Sequence, residues 1–443
     1  MFENVLGQVE AVSSLRADMG RGELPGSIMF EGPPLSAKLS SALELSRALS
    51  CERDASWNCP CPQCARHRTL VHQDILLMGP KSFREELAIG AAMMERAPGT
   101  ASRYFFIRAA RKLVRRFDRE LYEGEEGRLS KAMPLVRSAL EGIDACAPGT
   151  APLGAPAGAL AGSALDDAAA AKEAAKLLAT CAKLEDMLPS ATPVFQVRAM
   201  EFWARLAPYG RKKTIIVEHA DRMLDGSRNA LLKILEEPPE HAVFVLTTSR
   251  RQAMIPTILS RVRRYRFVQR NGEEAKAVIG RIFKEPAPDC ESLGDYVSRY
   301  RGSSSSALES LARDYAAAIA AEAERRRGPF HDAPLAALAS KGPGVPAAIA
   351  GAAAATGKFG AGDEAFAWTF PAFLDEAGKV FASLLREPGS GLETQRAAER
   401  YAALARDAMT RYSSYNLQPA ALAERLADAF ADAFAGGPGR TTA

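Results

Sequence analysis

A chain of 443 residues, 47% hydrophobic and 25% charged, is long enough for roughly two to four domains with substantial cores. Its net charge of +4 permits contact with nucleic acid but does not argue for it, because a local patch matters more than the total. No apolar run is long enough to span a bilayer and no charged-then-apolar leader starts at Met1, so the expectation is a cytoplasmic protein without membrane contact.

In chain order, Ser27–Glu31 reads as a short strand. It leads into Gly32-Pro33-Pro34-Leu35-Ser36-Ala37-Lys38-Leu39, where a phosphate loop of the form G-x-x-x-x-G-K-[ST] would sit. In such a loop backbone N–H groups surround the phosphates, the lysine reaches the β/γ oxygens and the hydroxyl holds Mg²⁺. Gly32 and Lys38 are present. Ala37 replaces the second glycine, which alanine can do only where φ avoids positive values. Leu39 replaces the hydroxyl and offers magnesium no oxygen. The segment keeps the shape of a strand, turn and helix while losing the chemistry.

The helix that follows runs into Cys51, Cys59, Cys61 and Cys64, four of the seven cysteines. Thiolates crowded in this way suit tetrahedral zinc in a reducing compartment better than a disulfide framework. Only Pro60 separates Cys59 from Cys61, so His67 or His72 is a possible substitute ligand. Residues 72–78 then read as a strand. Residues 79–188 are mostly helical by pattern, with a linker rich in Ala, Pro and Gly at 146–163. Arg108, Arg111, Lys112, Arg115, Arg116 and Arg119 line one of these helices. They suit either phosphate contact with DNA or a solvated face.

From 213 to 267 strand, helix, strand, short helix and strand alternate closely, which implies a doubly wound α/β core. Asn229-Ala230-Leu231-Leu232-Lys233, Leu235-Glu236-Glu237-Pro238-Pro239 and Thr257-Ile258-Leu259-Ser260-Arg261 resemble the clamp-loader family of AAA+ ATPases. Its bacterial members are the gamma/tau and delta-prime subunits of DNA polymerase III. Phe2-Glu3-Asn4-Val5-Leu6-Gly7-Gln8 is similar to the family's opening.

The resemblance implies an α/β fold: an AAA+ P-loop-type core with a parallel sheet and a zinc module, then an all-α lid and an all-α collar. The expected domains are 1–267 for the core, with the zinc module at 51–64 and the insertion at about 79–188, then 268–328 for the lid and 329–443 for the collar. The resemblance further implies that Cys51, Cys59, Cys61 and Cys64 hold structural zinc. Glu218-His219 stand where the family has an acidic pair, and Asp221 does not restore the missing carboxylate. Ser305 stands where hydrolysing members carry a phosphate-sensing arginine. The degenerate loop at Gly32, Pro33, Pro34 and Lys38 and the degenerate motif at Glu218 and His219 argue against ATP binding and turnover by this chain. Arg261 keeps the family's arginine finger, which acts in trans on a neighbour's ATP. The function implied is a non-hydrolysing, delta-prime-like subunit of the clamp loader. Its partners would be the other subunits of a hetero-oligomeric ring, the sliding clamp and primed DNA. The alternatives are a divergent gamma/tau-type ATPase and a DNA-binding adaptor acting through the insertion.

Overall fold

The structure is a computed structural model and describes residues 1–148, 165–189, 191–285, 290, 292–298, 303–348, 350, 370–415 and 419–435. The chain divides into two compact units, 1–300 and 301–443.

In the first unit β1 (Ser27–Glu31), β2 (Ile75–Met78), β3 (Lys213–Val217), β4 (Ala242–Thr248) and β5 (Arg263–Arg266) form one sheet. It is parallel throughout, in the order β2-β3-β4-β1-β5. β2, β3 and β4 are buried along their whole length, which is why each carries a run of consecutive apolar residues. Side chains alternate between two cores. Ile28, Phe30, Leu77, Ile216 and Val245 meet α1 (Val9–Arg21) and α2 (Lys38–Ser50). Met29, Leu76, Ile215, Phe244 and Leu246 face the other way. β2 begins at Ile75, later than the sequence suggests. The Asp74 carboxylate accepts from the Tyr209 and Gly210 N–H groups at 2.8 and 2.6 Å and so shapes a turn there.

The second face is covered largely by the insertion. After the short α3 (Pro62–Arg68) come α4 (Arg84–Arg96), α5 (Thr100–Val114), α6 (Glu126–Cys146) and α7 (Asp167–Asp186). Their apolar residues, among them Leu87, Phe106, Leu113, Val136, Ile143 and Leu184, share one core with the sheet. α8 (Val194–Arg205) and α9 (Asp225–Glu236) complete this layer, and α10 (Pro256–Leu259) precedes β5. The basic run spans α5 and the two 3-10 turns after it, Arg115–Phe117 and Arg119–Leu121, and it corrects both sequence readings: most of its cations face inward. Arg108 donates to the carbonyls of His67 and Arg68, Arg111 to that of Thr69 and Arg115 to that of Ile75. Lys112 pairs with Glu86 and Arg116 with Glu218. Of the six, only Arg119 is exposed. Guanidinium groups that satisfy main-chain carbonyls cement the insertion to the core and are not free for phosphates.

α11 (Gly272–Ile282) starts at a reciprocal capping box between Asn271 and Glu274. With α12 (Leu293–Ser298) it packs on Ile89 and Met93 of α4. Among its described residues the second unit has helices and no strand: α13 (Ser303–Arg327), α14 (Ala333–Ala339) and the helices Phe370–Leu384, Leu392–Tyr415 and Pro419–Ala435. Tyr315, Phe373, Phe381, Tyr401 and Phe430 fill its core. Most of the linker expected at 146–163, the tail from 436 and the side chain of Ser305 lie outside the described residues. Among those residues no helix is long and apolar enough to cross a membrane.

Candidate functional site

Cys51 caps the C-terminus of α2, and Cys61 caps the N-terminus of α3, where its sulfur accepts from the Cys64 N–H at 3.4 Å. Pro62 sits at the first helical position, where a missing N–H costs nothing. These ends bring the sulfurs of Cys51, Cys59, Cys61 and Cys64 within 4.8 Å of one another, all buried. Cys51 lies 3.6 Å from Cys59 and 3.9 Å from Cys61, sulfur to sulfur. Four thiolates at tetrahedral zinc distance would be about 3.8 Å apart, so the set fits the ion. The short Cys59–Cys61 spacing excludes no ligand. His67 and His72 instead stack on each other at 4.0 Å, and His72 hydrogen-bonds Gln63. The cluster has its own outer shell: the Arg53 and Ala55 N–H groups donate to the Cys51 sulfur at 3.3 and 3.2 Å. Arg47, buried and ion-paired to Glu44, donates to the Cys64 sulfur at 3.1 Å. Such donors fix ligands and offset the negative charge of four thiolates.

The loop after β1 is closed on itself. Lys38 Nζ donates to the Gly32 carbonyl at 2.7 Å, to that of Pro33, and to Ser36 Oγ at 3.2 Å. Burial pulls its pKa down to about 8, against the opposing fields of Asp221 and Glu218. Gly32 is irreplaceable: a Cβ there would lie 2.3 Å from the Phe267 carbonyl oxygen. Ala37 does not avoid the left-handed region, for its φ is +65° and its ψ 22°. The loop holds an alanine in a backbone conformation that favours glycine. A left-handed residue with a Cβ costs roughly 1–2 kcal/mol, and glycine gives part of that back as unfolded-state entropy. Ala37→Gly is therefore expected to stabilise the chain by about 0.5–1 kcal/mol, read as a higher denaturant midpoint at unchanged slope. A lower midpoint would show that the strain is relieved elsewhere.

Glu218 and His219 stand at the carboxyl end of β3. Glu218 is 7% exposed, and its carboxylate is taken by Arg116, itself 2% exposed and 5.3 Å above the Phe83 ring. His219 adopts φ +49° and ψ 49°, and its N–H donates to Thr247 Oγ1 at 3.2 Å. Burial holds the imidazole below its ordinary pKa, so it is neutral at pH 7. Asp221 accepts from Thr248 Oγ1 at 2.9 Å and from Arg250 Nε at 3.2 Å. This donor set does not fit a magnesium–nucleotide. Leu39 supplies no oxygen, and both carboxylates already have cationic partners.

Arg261 follows α10. One terminal nitrogen donates to the Thr257 carbonyl at 2.7 Å, and the other pairs with Glu236 at the end of α9. The side chain is 27% exposed and borders a cleft of 370 Å³ that is also lined by Pro25, Ser27, Pro238 and Arg263.

Residues 189–271, which span α8 to β5, match the family described as DNA polymerase III, delta subunit. This segment is similar to subunits of the DNA polymerase III clamp loader. The gamma/tau subunit of Mycobacterium tuberculosis (strain H37Rv) is 34% identical over 90 residues, 20% of this chain and 15% of that protein. The delta' subunit of Bacillus subtilis is 39% identical over 67 residues, 15% of this chain and 20% of that protein. These alignments span a fifth or less of the relatives' own lengths. A DNA polymerase III gamma subunit-related protein from Thermotoga maritima is 20% identical over 54% of this chain and 79% of its own, with a TM-score of 0.27. Gamma/tau and delta' subunits share the clamp-loader segment, so it does not separate the two kinds. Two partners of the site were missed in the sequence. Arg47 carries a faint signal, a Glu44–Arg47 pair three residues apart on an otherwise small and apolar helix face. Arg116 carries none, because its partner lies 102 residues away.

Proposed function

We propose that the chain is a delta-prime-like subunit of the DNA polymerase III clamp loader, one that does not hydrolyse ATP. In this role it lends Arg261 to the nucleotide site of a neighbouring subunit. Its partners are other loader subunits in a hetero-oligomeric ring, the sliding clamp and primed DNA, and its four-cysteine centre holds structural zinc. The observation that carries the reading is the phosphate loop closed on its own lysine, with Leu39 in place of the magnesium-binding hydroxyl. Phosphoryl transfer depends on positioned charge, and Lys38 is engaged with the Gly32 and Pro33 carbonyls. Support for the second half comes from Arg261, which stays at the surface within the clamp-loader segment while the chain's own site is closed.

The purified chain is expected to show no ATP turnover above that of its Lys38→Ala variant, measured by phosphate release. Turnover that depends on Lys38 would overturn the reading in favour of a gamma/tau-type ATPase.

A further inference from the structure

We propose that Arg116 is the resident cation of the acidic position at the end of β3, and that it closes this position to divalent metal. The inference rests on reading the loop after β1 and the Glu218–Asp221 turn as a former nucleotide site.

Arg116 belongs to the insertion, on the 3-10 turn Arg115–Phe117 that follows α5. It reaches the sheet from outside the clamp-loader segment. One terminal nitrogen pairs with Glu218, and the guanidinium lies over Phe83. The Phe83 backbone is itself fixed by a bond from its N–H to Glu185 at 3.0 Å. Nε and Nη1 of Arg116 are buried and have no hydrogen-bond partner. Among the described residues Glu218 is thus the one carboxylate bonded to this charge, Asp118 acting on it only through space, and a metal that took Glu218 would leave the guanidinium in the interior without a bonded partner. Stranding a buried charge costs far more than an exposed pair gains. Asp221 offers no alternative, since Thr248 and Arg250 hold its two oxygens. Lys38 adds a further positive charge within the field of both acids. Arg222 lies in the field of Asp221 as well, so two carboxylates already face four cations. The insertion supplies through the chain the charge that a bound ion would otherwise bring, and Arg116 is the residue that sets this preference.

Mn²⁺ is the probe, followed by the paramagnetic signal of the free ion with the full chain in excess. Wild type is expected to leave Mn²⁺ free into the millimolar range. Arg116→Ala should bind it at least tenfold more tightly at one site, and adding Glu218→Gln should abolish that gain. Arg116→Gln, which keeps a neutral donor to Glu218, serves as the second variant if alanine does not fold, as judged by circular dichroism. Mn²⁺ retained by wild type in a Glu218-dependent way would overturn the assignment. So would a folded Arg116 variant that binds no more than wild type. Turnover is scored separately: ATP hydrolysis by wild type sinks the functional reading, whereas Mn²⁺ retention without hydrolysis sinks only the role of Arg116.

Discussion

Removing metal from the four-cysteine centre, or replacing Cys64 with serine, is expected to melt 51–69 and to lower the thermal midpoint by about 10 °C. The size follows from a loss of several kcal/mol in a unit of this length. Four buried sulfurs within 4.8 Å have little to hold them together without an ion, and the loop 51–61 has little other core of its own. The damage should spread in a definite direction. Arg47 loses the sulfur it bonds, and α3 loses the anchor at its N-terminus. The carbonyls at the end of α3 are the acceptors of Arg108 and Arg111, so α5 loses partners for two buried cations. Hydrogen exchange after chelation should therefore rise in 51–69 and along α5, while β4 at the centre of the sheet stays protected. An apo protein with the same midpoint and the same protection along α5 would show that the cysteines pack as ordinary buried thiols. Zinc analysis of the untreated protein should give about one ion per chain, as expected for a closed structural site.

How much of this was legible depends on whether the physics is local. β1 and β4 could be read to the residue, because a strand buried on both faces leaves an uninterrupted apolar run. The cysteine cluster was legible in its residue types, although the spacing could not say whether a histidine takes part. In the structure caps on α2 and α3 bring the four sulfurs together, while His67 and His72 stack on each other. The lesson of α5 is the opposite. A run of arginines on a helix normally signals solvent or phosphate. Nothing in 108–119 reveals that main-chain carbonyls at 67, 68, 69 and 75 end within reach. Burial of a charge is decided by its partner, and here the partners lie some 40 residues away. The expectation for Ala37 failed for a related reason. The substitution was visible, but the surrounding loop, held by Lys38 and Gly32, dictated the backbone conformation.

Arg261→Ala is expected to leave this chain folded and assembled while slowing ATP hydrolysis by the neighbouring subunit about 10³-fold or more. Arginine fingers acting in trans contribute roughly 10³–10⁵ in the best-studied NTPases. The folding half follows from exposure: Arg261 is 27% and Glu236 51% exposed, and such a pair is worth at most about 1 kcal/mol. The same weakness suits the proposed role, in which the group leaves Glu236 to reach a phosphate. Glu236→Gln should consequently change the neighbour's rate by no more than about fivefold, the equivalent of that 1 kcal/mol. Arg261→Lys should not rescue, because an ammonium cannot reproduce the planar fork that holds one edge on the Thr257 carbonyl while presenting the other. The measurement is steady-state hydrolysis by a reconstituted mixture with an active gamma/tau-type subunit, with assembly checked by gel filtration. A full rate in an intact assembly carrying Arg261→Ala would remove the finger from this position. A slow rate caused by failed assembly would appear in the elution profile, not in the turnover of assembled material.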